Sequence, residues 1–298
     1  MGLAGQATLQ LGVADERDVI AFLSGQPSAN VYLLWRIAQG VLRQPRGHER
    51  FYGMRDPDSR RLRAVIGAGA NLVPAGSDRD ALYELGQLAA LCGERPRMLI
   101  GPRAGVDALW RGFQQALDPN VQLDTVHIGY ELLPDDLAPE LGLQRLHVAA
   151  MSDLIEVEEA SAQMLIDDLD RRDRDEDPGL FRRRMRHAIS QGEVFIYRDR
   201  GELVFKLNLG ARTGEATQLQ GIFTARSRRG EGLCRRGTAE VCRRLFSEGV
   251  PMVNLFVRED NLAARRSYEA VGFVPAGQLR MIILKDCGRL LDSVQSVG

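Results

Sequence analysis

The chain of 298 residues is predicted to form two α/β domains in tandem, and three observations predict it. Its length is about twice that of a common single domain. Its strand-like and helix-like segments run through one order and begin it again near residue 146. Towards the C-terminus an apolar strand, Gln220-Gly221-Ile222-Phe223-Thr224, passes through a basic turn into Arg229-Gly230-Glu231-Gly232-Leu233-Cys234 and a long helical pattern.

The first half opens with Leu9-Gln10-Leu11, then Asp15 as a helix start and Val19, Ile20, Phe22 and Leu23 at helical spacing. Strands follow over 51–55 and 64–73, a helix over 78–92, a strand over 97–100, a helix over 106–117 and a strand over 126–132. The second half opens with Leu146-His147-Val148 and a helix near Ser152. Strands over 194–197, 203–209 and 217–224 precede a helix over 232–246, a strand over 252–257, a helix over 262–270 and strands over 273–284. The polar, proline-bearing stretch Pro134-Asp135-Asp136-Leu137-Ala138-Pro139 reads as the linker, giving domains of 1–138 and 139–298. The repetition points to a duplication.

A formal net charge of −1 argues against a dedicated nucleic-acid or membrane-surface protein. Cys92, Cys234, Cys242 and Cys287 lack metal-site or disulfide spacing, so no metal is expected and a reducing cytoplasm suits them. Met1-Gly2-Leu3-Ala4-Gly5 has no basic region leading into an apolar run, and no stretch has the roughly 18 apolar residues of a membrane helix, so neither export nor a membrane is expected. The composition is compatible with a homo-oligomer.

The loop at 229–234 is a candidate phosphate cradle: glycines let several backbone N–H groups converge on an anion, and the following helix adds its positive dipole end. No Lys-Ser or Lys-Thr pair follows, so the anion is a pyrophosphate held rather than cleaved. The spacing Arg229-x-x-Gly232-x-Cys234 resembles the signature of the GNAT family of acyl-CoA-dependent N-acetyltransferases. A second block strengthens the resemblance: Met252-Val253-Asn254-Leu255-Phe256-Val257, then Asn261, Ala264, Tyr268 and Gly272-Phe273 at the family's spacing.

The resemblance implies two GNAT-like domains, each a mixed, mostly antiparallel sheet flanked by helices, with the second active on acetyl-CoA and the first a degenerate copy. It implies that the backbones of Ile222, Phe223 and Thr224 bond the pantetheine arm and thioester carbonyl, and that Gly230, Glu231, Gly232, Leu233 and Cys234 hold the pyrophosphate with Arg229. Asn261 would bond the arm, and Tyr268 would protonate the departing sulfur. The general base is open. Counting by twos back from Ile222 gives Gln220 and Gln218 where the family often has a glutamate, and glutamine cannot accept a proton. A water relay to Glu215, Glu156, Glu159, Asp167 or Asp168, or to solvent, and an amine that arrives neutral are the alternatives.

In the first half the corresponding loop is Val73-Pro74-Ala75-Gly76-Ser77-Asp78, where proline removes a donor and Asp78 repels an anion, so CoA is not expected there. Ile100-Gly101-Pro102-Arg103-Ala104-Gly105 reads as an ordinary strand-to-helix turn. Cys234, at a helix start, could carry a lowered pKa, but a small residue fitted against the ligand is the plainer reading. The charge run over 167–177 reads as a solvated loop whose acidity would suit a cationic acceptor, and His187 as a surface residue. The leading expectation is transfer of acetyl to an amine acceptor without metal. Its rivals are a non-catalytic acyl-CoA sensor and a nucleic-acid-associated regulator using Arg226, Arg228, Arg229, Arg235 and Arg236.

Overall fold

The structure, a computed structural model, describes residues 8–45 and 47–288. The N-terminal residues Met1 to Gly5, from which no export was expected, lie outside them. The first pass through the element order is β1 (Thr8–Leu11), α1 (Glu16–Leu23), α2 (Val31–Ala38), β2 (Arg50–Arg55), β3 (Leu62–Ala68), β4 (Asn71–Ala75), α3 (Arg79–Leu91), β5 (Met98–Pro102), α4 (Arg103–Ala116) and β6 (Asn120–Leu132). The second is β7 (His147–Val148), α5 (Leu154–Leu169), α6 (Asp173–Glu176), α7 (Pro178–Ser190), β8 (Val194–Asp199), β9 (Glu202–Arg212), β10 (Thr217–Thr224), α8 (Leu233–Ser247), β11 (Val253–Arg258), α9 (Leu262–Glu269) and β12 (Val274–Asp286). Apart from the one-turn α6, the two passes have the same order.

One expected strand is two. Residues 64–73 do not form a single strand, because the chain bends at 69–70 and β3 and β4 pair back on each other, Val65 with Ala75 and Gly67 with Val73. This supplies the first half with the third strand that the sequence reading had found only in the second.

The chain divides into compact units of residues 1–128 with 277–298, and 129–276. The sequence-based cut at 138/139 assigns two segments differently. Residues 277–288 belong to the first unit because β12 pairs antiparallel with β5, from Leu279 opposite Pro102 to Ile283 opposite Met98. Residues 129–138 belong to the second, where Ala138 N–H donates to Val271 O at 2.9 Å.

Each unit contains a parallel ladder among its antiparallel pairings, and it is short. Asn71 and Leu72 pair with Met98 and Leu99 in the first, and Thr217 and Gln218 with Val253 and Asn254 in the second. A second shared device is an ion-pair cluster. In the first unit Arg55 donates to Asp15 at 2.8 Å and Asp18 at 2.9 Å, directly after a register shift in β2. In the second, Arg198 donates to Asp153 at 3.1 Å and to Glu156, again directly after a register shift, in β8. Asp15 and Asp153 also each accept from the backbone N–H three residues earlier, fixing the entry into α1 and α5.

In the first unit α3 and α4 meet backbone to backbone: a Cβ on Gly86 would lie 2.1 Å from Leu109 O, and one on Gly112 would lie 1.9 Å from Tyr83 O. In the second, α8 packs onto β9 through Gly237, where a Cβ would lie 2.4 Å from the Phe205 ring. That contact sets the height at which the N-terminus of α8 meets the end of β10.

Gly272 has φ +112°, and a Cβ there would lie 1.9 Å from Asp136 O. Gly277 has nearly the same φ, +113°, and nothing within 4 Å. Gly277→Ala is therefore expected to lose only the left-handed preference, about 1 kcal/mol in denaturant unfolding, and Gly272→Ala about 3 kcal/mol or more because a backbone clash is added. Equal losses would contradict this packing.

Candidate functional site

The site begins where a sheet fails to close. β10 and β11 pair only through Thr217 and Gln218, so from Leu219 onward β10 has no ladder with β11. On the other edge β10 keeps its pairing with β9, with a register jump from Gln220 opposite Asn208 to Phe223 opposite Lys206. Gly221, at φ +59°, occupies this bulge, a backbone region that glycine enters at little cost. Ala225 N–H donates to Val204 O of β9 at 3.0 Å. Alternation along the strand then turns the N–H groups of Thr224 and Ile222 to the open edge and that of Phe223 towards β9. Of the three backbones expected to hold an acyl arm, Ile222 and Thr224 thus offer donors to the gap. Phe223 does not.

The bulge also breaks the count by twos. Gln220 pairs with Asn208, so its side chain shares a face with Asn208 and Lys206, and the extra residue prevents that parity from reaching Ile222. Gln220 lies across Gly210, where a Cβ would come 3.0 Å from its Cδ, and Gln218 sits within the last paired step with β11. Neither glutamine holds a titratable proton, so neither is the base.

The loop before α8 has the shape the sequence suggested. Gly230 and Gly232 have φ +86° and +75°, conformations that turn successive N–H groups to one side. Among the described residues, none accepts a hydrogen bond from the backbone N–H of Gly230, Glu231, Gly232, Leu233 or Cys234. The arginines are a different matter. Arg229 donates to Asp167 at 2.8 Å and to Thr224 O at 3.3 Å, and Arg226 pairs with Asp167 as well. Arg228 bonds Glu231 at 2.9 Å and pairs with Asp199 at 2.5 Å, and Arg236 bonds Gly142 O at 3.1 Å. Arg235 folds over Gly232. The side chains of Arg229 and Glu231 are therefore engaged within the protein, whereas the backbone N–H groups of the loop and the helix end are not. The two arginines hold the Asp167 carboxyl down to about 2, so this clamp persists at any pH well above that.

The charge run is a solvated loop only in part: Asp170, Arg172 and the residues from Arg174 to Asp177 are exposed, but parts of it belong to α5 and α6. Asp167 and Asp168 lie in the last turn of α5, and Arg171 pairs with Asp173 at 2.6 Å. Asp167 and Asp173 are thus neutralised within the chain, while Glu176 and Asp177 stay exposed.

Asn261 caps α9, its Oδ1 accepting from Ala264 N–H at 3.1 Å. Its amide nitrogen remains free to donate to a ligand. Tyr268, seven residues on, is 6% exposed and packs edge-on against Phe273 and Tyr130, with centroids 6.1 and 6.4 Å away. Its hydroxyl meets the Cys234 thiol rather than the surface. Burial, then the neighbouring Cys234 and Asp168, push the Tyr268 pKa well above normal, so the group carries its proton throughout the neutral range. Burial likewise pushes the Cys234 thiol up to about 11, opposite to the lowering that a helix start alone suggested. A thiol in that state is a poor nucleophile.

The candidate carboxylates separate by position. Glu215 lies in the turn before β10, seven residues or about 23 Å of extended strand from Ile222. Glu156 is tied to Arg198, Asp167 to the loop arginines, and Glu159 faces outward on α5. Asp168 is half-buried, its carboxyl raised by burial and by Asp167 beside it and countered by Arg229 and Arg258, and its charge reaches Tyr268. Arg258, at the end of β11, fixes the segment by donating to Asp168 O at 3.1 Å. The sequence reading named Asp168 only among several, and it missed Lys206, whose Nζ bonds the bulge. The visible signal was a lysine alone in the apolar run Leu203-Val204-Phe205-Lys206-Leu207.

In the first unit the corresponding helix start is closed. Asp78 accepts from Ala81 N–H at 3.0 Å and pairs with Arg63 at 2.7 Å, so a carboxylate occupies the place of an anion. α4 starts at Arg103 directly after Pro102, the ordinary turn expected of that segment. His187 is exposed. Among the described residues no group of three His, Cys, Asp or Glu could hold a metal, and no helix is long and apolar enough to cross a membrane.

Residues 158–273 match the acetyltransferase (GNAT) family, and residues 49–123 match a domain of unknown function, DUF4081. No curated protein matches the chain. Among solved structures it is similar to a Drosophila protein (TM-score 0.66, 12% identity, covering 94% of this chain and 99% of that one). It is also similar to a GCN5-related N-acetyltransferase from Sphaerobacter thermophilus (TM-score 0.58, 16% identity, 96% and 97% covered). A tandem GNAT protein from the clavulanic acid biosynthesis pathway aligns at TM-score 0.56 and 14% identity, over 95% of this chain and 99% of that one. At these identities the likeness is one of fold. The matched segment makes residues 158–273 a GNAT domain, and the two-unit element order is similar in fold to that of the tandem GNAT protein.

Proposed function

We propose that the second unit moves an acetyl group directly from acetyl-CoA to a primary amine, of a small molecule or of a protein or peptide. The observation that carries this reading is the conjunction of an unpaired β10 edge with a buried, proton-bearing Tyr268. The loop fits the cosubstrate: five consecutive N–H groups without acceptors among the described residues, at a helix start, suit a pyrophosphate. Acetyl-CoA supplies an acyl group activated as a thioester, and this chain's residues do the rest.

The Ile222 and Thr224 N–H groups, fixed by strand pairing on the opposite edge, would stabilise negative charge on the acyl oxygen without reorganising. Tyr268 Oη holds the proton that the leaving sulfur needs. Asp168, a carboxyl raised by burial, would take the amine's proton directly or through water. Cys234 keeps its thiol protonated and serves as a small residue against Tyr268. Four thiols without disulfide partners suit a cytoplasmic setting. Internal pairing of the loop arginines weighs against nucleic acid as a partner. The glutamines at 218 and 220 favour a rival reading, a non-catalytic acyl-CoA sensor, which would bind CoA and release no thiol with any amine.

Free thiol released from acetyl-CoA across a panel of amines tests the proposal. Tyr268→Phe is expected to lower kcat by about 100-fold or more with CoA affinity nearly unchanged; an unaltered kcat would remove Tyr268 from the chemistry. Because the Asp168 pKa is raised, its basic form is lost at a higher pH than for an ordinary aspartate, and kcat/KM should fall as pH drops through that value. Asp168→Asn should abolish this acid limb, and a retained limb would assign the base elsewhere. Rapid quench with acetyl-CoA and no amine is expected to show no acetylated protein, and an adduct on Cys234 would contradict direct transfer.

A further inference from the structure

Lys206 is 1% exposed in the middle of β9. A buried ammonium is costly unless it is paired, and among the described residues no carboxylate lies within ion-pairing distance of it. Burial alone pulls its pKa down to about 7. The side chain has two acceptors, Asn208 Oδ1 at 2.9 Å and Gly221 O at 3.0 Å. Both the charged and the neutral amine carry enough hydrogens for both bonds, so the anchor holds on either side of neutrality.

The second acceptor gives the lysine a reason to be there. Gly221 is the left-handed residue of the β10 bulge, and a Cβ on it would lie 3.2 Å from Lys206 Nζ. The described peptide bonds are trans, so the Gly221 carbonyl and the Ile222 N–H, which share one plane, point in opposite directions. Holding the carbonyl on Lys206 therefore holds the Ile222 N–H away from it, towards the edge of β10 that β11 leaves open. A bulge is otherwise the part of a strand least constrained by its ladder.

We propose that Lys206 is a positioning residue, which by gripping the Gly221 carbonyl aims the Ile222 N–H at the acyl oxygen of the bound thioester. This rests on the acetyltransferase reading. It makes β9 part of the apparatus for transfer.

The test compares Lys206→Met with Lys206→Gln, whose amide N–H can still donate to Gly221 O. The readouts are kcat, KM for the amine, CoA affinity by calorimetry and thermal unfolding. Lys206→Met is expected to lower kcat by about 10- to 100-fold while CoA affinity and amine KM stay within about threefold, since the loop that holds the pyrophosphate is untouched. Lys206→Gln should recover at least about fivefold of the lost kcat. A Lys206→Met protein with unaltered kcat overturns the inference, and so does a loss of kcat matched by loss of CoA affinity that glutamine does not relieve. Should Lys206→Met fail to fold, Gly221→Ala decides, because its methyl group would come 3.2 Å from Lys206 Nζ and push the amine from its place. A selective kcat loss there supports the proposal and normal kcat ends it. If the unaltered protein neither binds CoA nor releases thiol, the acetyltransferase reading fails and this inference with it, a result distinct from a turnover-competent Lys206→Met.

Discussion

The second unit is organised around a ladder that stops. In a sheet, backbone N–H and C=O groups are expected to be paired, and leaving a row of them without partners is expensive. β10 and β11 part after two paired residues, yet β10 is kept extended from its other side by β9 and braced at its bulge by Lys206. The open edge is thus rigid without being satisfied, which is the condition under which backbone donors bind a ligand rather than collapse onto the protein. The glycine loop and the start of α8 continue the same theme beyond the end of the strand. Phe205 against Gly237 fixes that helix to β9, so the two sets of donors share one support.

The first unit shows what happens to the same element order when the donors are used internally. Its parallel ladder is just as short, and its Arg55 cluster matches Arg198 and its two carboxylates partner for partner. At the start of α3, however, Asp78 supplies the negative group from within the chain, and the α3 and α4 backbones touch through Gly86 and Gly112. Shared scaffold and divergent helix starts are what a duplicated domain freed from ligand binding would show.

Much of this was legible in the sequence, for reasons that can be named. Helices with a clear apolar period, the strand over 217–224 and the glycine loop announce themselves by local chemistry. Gly272 was visible as part of a motif, and the contact with Asp136 O shows why only glycine fits there. What sequence could not give depends on register and on distant partners. The bulge at Gly221 undid a face assignment made by counting, and the β3–β4 hairpin hid inside a run that looked continuous. That Asp167, some sixty residues earlier in the chain, holds the loop arginines could not be seen in the sequence. Lys206 was passed over because one charge in an apolar strand has no local meaning until the carbonyl it meets is known.

The most direct test of the central claim is hydrogen exchange of the backbone amides with and without CoA. CoA is expected to slow exchange at Ile222, Thr224 and the amides from Gly230 to Cys234 and to leave the start of α3, capped by Asp78, unchanged. Binding of CoA with those amides still exchanging freely, or protection at α3 instead, would contradict it.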